Sequence, residues 1–364
     1  MNNKDPVSVL SVNSSIGIIQ RSGFANGFFG AGARLFLDRC LEYHGLKISR
    51  VVGVSAQSFS VALQSIGLLE EIVQAWLDLT TKDIYHFDKW GLLLNPIKFL
   101  KKWPSILDST PLRNYVAGKI SGHEDEIFSD KAIPFDIITT NISANEDHCI
   151  FFDNSPDNKK IILDICMASA TLVPWFRPLV LNYEGKKILL ADGAFSNDMP
   201  IKRLTEFGCD TIFIVDYYGG APGFEYNDKP PWHESTSRSL QVAVEEHSRL
   251  RTVAAERTNK EIQVLDMLEL KFLDVVLPNL ISSSEVINDA RTMLGVKNKK
   301  ETKLINIQNL TKPKHIGFTE FNNITKRNLI LQGYYLTARK MQELGFDIEP
   351  VLNMSFRKKL EFSI

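Results

Sequence analysis

The chain is poor in cysteine, balanced in charge and free of long apolar runs. Among 364 residues there are four cysteines, Cys40, Cys149, Cys166 and Cys209. They stand far apart and form no CxxC pair, so the usual spacing of a zinc or dithiol site is missing. Three of them lie in apolar contexts and read as reduced core thiols, which makes a cytoplasmic location the expectation. Lys and Arg number 42 against 43 Asp and Glu, a formal charge of −1. That balance supplies no global field for nucleic acid or acidic lipid, and no nucleic-acid partner is expected. No apolar run reaches the roughly 20 residues of a spanning helix. Met1 to Pro6 is polar and lacks a signal-peptide core. Histidine is scarce where a catalytic base would be sought. His44, His86, His123, His148, His233, His247 and His315 lie mostly in polar or loop-like surroundings. None follows a strand end, so each reads as a surface or packing residue.

What is present is an alternation of strand-like and helix-like segments. Ile16–Gln20, Ile48–Val54, Pro134–Thr140, Cys149–Phe152, Lys187–Ala191 and Thr211–Asp216 read as strands. Gly27 to Tyr43 reads as a helix closed by Gly45, and another helix follows Ser55 and ends near Gly67. This order predicts an α/β layered fold around a largely parallel sheet. Residues 8–220 form the expected catalytic core and 221–237 a surface loop. Residues 238–350 form a mostly helical part that completes the same domain. Within that part, helix is expected from about Ser239 to Leu277 and from Ile330 to Leu344, where Gly345 stops it. Pro278 and Ser282 to Ser284 interrupt the pattern, and Lys303–Ile307 and His315–Phe318 are candidate edge strands.

The chemistry concentrates at three places. In Val51-Val52-Gly53-Val54-Ser55-Ala56-Gln57 an apolar run ends in a small-residue turn before a helix. That order lifts a hydroxyl to the top of a sheet. A serine needs a base to take its proton. Leu189-Leu190-Ala191-Asp192-Gly193-Ala194 is another apolar strand, and it ends in a carboxylate and a glycine. An ordinary aspartate, with a pKa of about 3.9, is a weak base. Partial burial raises that value and makes Asp192 a better proton acceptor. Ser55 and Asp192 are therefore the candidate nucleophile and base of a serine hydrolase, against the plainer reading of two ordinary turns. The third place is Arg21 to Gly27, between the first strand and the first helix. Amides at a helix N-terminus suit an oxyanion or a phosphate. Gly27-x-x-Gly30-x-Gly32 reverses the dinucleotide spacing GxGxxG, and its glycines read as close-packing positions of the helix against the sheet.

These segments, in this order, resemble the patatin-like phospholipase family. Ser22 to Gly27 matches its oxyanion loop, with Gly32 as the later glycine. Gly53 to Gln57 matches its nucleophile elbow, and Asp192-Gly193-Ala194 its Asp-Gly motif. Ala168-Ser169 with Pro174, Phe176 and Pro178, then Asp198-Met199-Pro200, match further stretches. The resemblance implies a three-layer α/β/α sandwich with a central, mostly parallel sheet. It implies a Ser55–Asp192 dyad that cleaves fatty acyl esters of glycerolipids without metal or other cofactor. By this resemblance Gly23, Phe24 and Ala56 supply the oxyanion amides, supported by Ser22, Asn26, Gly27, Gly53, Gln57 and Gly193.

The chain also departs from the family pattern. Ser22 and Phe24 replace glycines of the loop, Asn26 replaces a basic residue, and Gln57 replaces the glycine that closes the elbow. If position 24 requires φ > 0, phenylalanine there costs about 1–2 kcal/mol. Two readings follow: a reshaped, working loop with Gln57 or Asn26 donating from its side chain, or an impaired site in a protein that binds lipid or protein instead. Trp90 to Trp103 mixes bulky apolar residues with lysines. It reads either as a solvated helical lid or as a peripheral contact with a bilayer. The sequence names no protein partner.

Overall fold

The structure is a computed structural model that describes residue 10 and residues 14–86, 107–173, 175–217, 232–276, 291–292, 301–308 and 322–353. The stretch Trp90 to Trp103, Pro174, residues 219–231, Pro278, Ser282 to Ser284 and His315–Phe318 lie outside the described residues.

Eight strands among the described residues form one sheet. They are β1 Ile16–Gln20, β2 Ile48–Val54, β3 Phe135–Asn141, β4 Cys149–Asp153, β5 Leu179–Tyr183, β6 Lys186–Asp192, β7 Thr211–Asp216 and β8 Lys303–Gln308. The principal helices are α1 Phe24–Tyr43, α2 Ser58–Gln64, α3 Leu69–Asp78, α4 Ile162–Ser169, α5 Ala194–Asn197, α6 Trp232–Val276 and α7 Asn323–Glu343.

Strands β3, β2, β1, β7 and β8 run parallel in that order. Every residue of β1 and β7 is buried. Covered strands read as unbroken apolar runs because helices shield both faces. Ile16, Ile18, Phe213 and Val215 enter one apolar cluster with residues of α1, α2, α3 and α7. Ile19, Ile212 and Ile214 enter another, against which Val244 and Ala255 of α6 pack. The strand period of two thus feeds two helical layers, giving the expected α/β/α arrangement.

The topology around β3 matters most for the site. Asp136 to Thr140 pair antiparallel with β4. Phe135 to Ile138 also pair with β2, and Thr139 to Asn141 with β6. A strand has two edges, so β2 and β6 must share the edge opposite β4, end against end. Val54 sits opposite Ile138 and Asp192 opposite Thr139. The ends of two strands remote in sequence therefore abut.

Several elements differ from expectation. Helix α1 begins at Phe24, ahead of Gly27. Strand β5 is not among the expected strands; it is a half-exposed edge strand paired with β6. Its hairpin partner β6 follows through Glu184 (φ 49) and Gly185 (φ 77), the two left-handed residues of a tight hairpin turn. Helix α6 starts at Trp232, inside the stretch expected to be loop to 237. Helix α7 starts at Asn323, where the Asn322 side chain accepts the Thr325 N–H at 2.7 Å. The glycines of α1 serve helix packing more than sheet packing. A Cβ on Gly32 would lie 1.8 Å from the Ile330 carbonyl oxygen, and one on Gly333 of α7 would lie 1.9 Å from that of Phe29. Gly27 faces the Trp76 ring of α3, and only Gly30 looks toward Val215 of the sheet. No described helix is long and apolar enough to cross a membrane.

Candidate active site

Ser55 leaves β2 with φ 60, a left-handed conformation that costs a non-glycine residue about 1–3 kcal/mol. A turn of 3-10 helix, Ser55–Gln57, then leads into α2. Gly53 permits this fold-back, since a Cβ there would meet Val61 at 2.8 Å and the Gln57 carbonyl oxygen at 3.0 Å. The Ser55 N–H donates to Ser169 Oγ at 2.9 Å, which anchors the strained turn on the end of α4.

Asp192 is held by the same neighbourhood. Its N–H donates to the Thr171 carbonyl at 2.9 Å, and Thr140 Oγ1 donates to its carbonyl at 2.6 Å. Gly193 N–H donates to the Ser169 carbonyl at 3.3 Å. A side chain at Gly193 would strike the Ile138 carbonyl oxygen, 2.2 Å from its Cβ, so only glycine lets this turn press on β3.

The two side chains meet. Ser55 Oγ donates to Asp192 Oδ2 at 2.6 Å, and the Ala194 N–H donates to Oδ1 at 2.9 Å. Ser55 is 9% exposed and Asp192 3%. Burial pushes the Asp192 carboxyl up to about 7, against the opposing pull of the Ser55 and Ala194 hydrogen bonds, and nearby Asp198 adds to the rise. Three described histidines are engaged elsewhere: His44 with the Asp347 carbonyl, His148 with the Asn141 carbonyl and His123 near Glu126.

The Arg21 loop leaves β1 beside the elbow, because Gln20 pairs with Gly53 in register and both segments continue from that pair. Gly23 caps α1 with φ 105 and ψ 145. The left-handed conformation thus falls on Gly23, and Phe24 is an ordinary first helical residue. The amides of a first helical turn lack intrahelical partners. Ser22 N–H is committed, donating to Asp198 Oδ1 at 2.8 Å. Asn26 is committed at both ends: its Nδ2 donates to the Ser22 carbonyl and its Oδ1 accepts the Tyr217 N–H. Gln57 Oε1 accepts from Arg34 Nη2 at 2.9 Å. Asn26 thereby braces the loop from Ser22 to Tyr217. Ala56 is buried in the elbow, and Gly27 packs on Trp76.

Sequence reading passes over a buried ionic knot behind this loop. Arg21 donates to Asp198 Oδ2 from Nε at 2.8 Å, pairs with Asp216 at the end of β7, and reaches Ser248 Oγ of α6 at 3.1 Å. Arg251 of α6 donates to the Ser196 carbonyl at 2.8 Å. Ser169, Asp198 and the strand ending at Asp216 carried a family signal, whereas Thr140 and Ser248 carried none, because their roles arise only from distant segments meeting.

The sequence model of the patatin-like phospholipase family matches residues 21–205, just over half of the chain, and takes in both the elbow and the Asp-Gly turn. The chain belongs to the patatin-like phospholipase family, whose members are generally lipid acyl hydrolases. Among solved structures it is similar to the crystal structure of VipD from Legionella pneumophila, at 12% identity and a TM-score of 0.41, over 91% of this chain and 67% of that one. The search of curated proteins finds no match.

Proposed function

We propose that the protein hydrolyses fatty acyl esters of glycerolipids with Ser55 as nucleophile and Asp192 as its base. The observation that carries this reading is the 2.6 Å hydrogen bond from Ser55 Oγ to Asp192 Oδ2, made at a left-handed serine on a strand-to-helix turn. Ser55 Oγ attacks the acyl carbonyl while the Asp192 carboxylate takes its proton. The Gly23, Phe24 and Ala56 amides receive the developing oxyanion. Asp192 returns the proton to the departing alcohol. It then removes a proton from water, which attacks the acyl-serine, and passes that proton to the departing Ser55 Oγ as the fatty acid is released.

A carboxyl raised to about 7 suits this work. It is ionised enough near neutrality to accept a proton and basic enough to want one. The family supports a lipid substrate, and a peripheral membrane contact through the Trp90 to Trp103 stretch accords with it. The test compares wild type with Ser55→Ala on short- and long-chain esters and with a fluorophosphonate probe. Hydrolysis and labelling are expected in wild type alone. Equal activity in both proteins ends the proposal, and a wild type that neither labels nor hydrolyses favours a lipid- or protein-binding role.

A further inference from the structure

Arg34 is wholly buried on α1 and only partly satisfied. Its Nε donates to the Gly30 carbonyl at 3.2 Å and its Nη2 to Gln57 Oε1 at 2.9 Å, while Nη1 has no hydrogen-bond partner. Burial lowers its pKa to about 9, opposed by the charge of Asp38. A buried cation of this kind is a poor device for stability, since an apolar side chain of similar volume usually serves the fold as well or better. Its side-chain partner is Gln57, the residue that stands where the family elbow closes with glycine.

A second rung lies one turn further along α1. Gln64 Nε2 of α2 donates to Asp38 Oδ1 at 3.0 Å and Oδ2 at 2.8 Å. Gln64 Oε1 in turn accepts from Gln20, the last residue of β1. The two rungs therefore join α1, the elbow with its helix, and the end of β1. These elements carry the first-turn amides of α1 and the Ser55 hydroxyl, whose separation sets the geometry of acyl transfer.

We propose that Arg34, acting through Gln57, is a positioning residue of this hydrolase, and that the Arg34–Gln57 rung, backed by Asp38–Gln64–Gln20, sets Ser55 against the start of α1. The inference rests on the hydrolase reading above and deepens it. It also accounts for Gln57: the larger elbow residue comes with a buried cation that holds it.

The test uses Arg34→Met, Gln57→Ala and the double variant of the full chain. It measures kcat, KM, fluorophosphonate labelling and Tm. In Arg34→Met, kcat is expected to fall about 10- to 100-fold, the scale of a small misplacement of reacting groups. KM is expected to stay close to wild type. Tm is expected to fall, because the Asp38 carboxyl loses its cation, so kcat is read well below the melt. Gln57→Ala should lose kcat to a similar degree, and the double variant should be no worse than the weaker single, because both remove one rung. Unchanged kcat in Arg34→Met, with wild type still labelled at Ser55, overturns the positioning role and leaves the hydrolase standing. Multiplying losses in the double variant also overturn it. A wild type unlabelled at Ser55 removes the hydrolase reading itself.

Discussion

Asp192 and Asp198 flank the same short helix, α5, and both are buried, yet they sit in opposite electrostatic settings. Asp192 faces a neutral hydroxyl and one amide, and burial drives its carboxyl up to about 7. Asp198 faces the Arg21 guanidinium at 2.7 Å and the Ser22 amide at 2.8 Å. The first carboxylate meets only neutral donors, the setting that the proposed base requires, and the second is tied into an ion pair. The difference lies in the partner, since both are almost fully out of water. A buried carboxylate becomes a base only where no cation satisfies it. The neighbouring carboxylate, satisfied by Arg21, instead braces the loop ahead of α1 through the Ser22 amide.

The largest effect should come from removing the reactive pair. Ser55→Ala or Asp192→Asn is expected to lower kcat at least about 1000-fold, and the double variant should be little worse than either, since the two act as a unit. Ester turnover with purified protein checks this, and a mild effect of Asp192→Asn breaks the comparison at its first member.

Asp198→Ala tests the second member. It frees the Ser22 amide and leaves Arg21 with Asp216 and Ser248, so kcat should fall about 100-fold through a loosened oxyanion loop. Because Asp198 adds to the rise of the Asp192 carboxyl, the ascending limb of the pH–rate profile should also move to lower pH. A loss of rate with no movement of that limb separates loop geometry from electrostatics.

The third prediction concerns pH. Activity needs ionised Asp192, so kcat/KM should climb about tenfold per unit below pH 7 and flatten above it. The stability sign is opposite. Folding holds this proton more tightly than the unfolded chain does, so the native state gives up stability as pH rises from about 4 to about 7. Asp192→Asn removes that loss. Its Tm relative to wild type should therefore improve between pH 5 and pH 8, as read by thermal melts.

The smallest effect is expected at Phe24. Position 24 is helical and the left-handed residue is Gly23. Phe24→Gly should leave kcat unchanged and cost about 0.5–1 kcal/mol of stability, from the greater freedom of glycine in the unfolded chain. A gain in rate here means that the phenylalanine limits the loop after all.

Much of the fold was legible because its central strands are apolar and its helices amphipathic. Ile16–Gln20, Ile48–Val54 and Thr211–Asp216 stand at the boundaries read from sequence. The edge strand β5 is hard to read because its apolar run, Leu179 to Leu181, is only three residues long and follows Pro178. Helices α1, α6 and α7 start ahead of their expected positions because their first residues are polar, small or aromatic and carry little periodicity. In the site, Ser55 and Asp192 were readable as strand ends followed by small residues. The commitments of Ser22, Asn26 and Gln57 were not, because each depends on a partner remote in the chain: Asp198, Tyr217 or Arg34.

By itself the amino-acid order determined the layers, the strand that delivers a hydroxyl and the strand that delivers a carboxylate. These follow from local propensity and periodicity. Only tertiary structure decided that β2 and β6 end against one another on the same edge of β3, which brings Ser55 to Asp192. It alone decided which buried carboxylate meets a guanidinium and which meets only an alcohol. Pairing across a sheet and desolvation are properties of the assembled fold, and no window of sequence contains them.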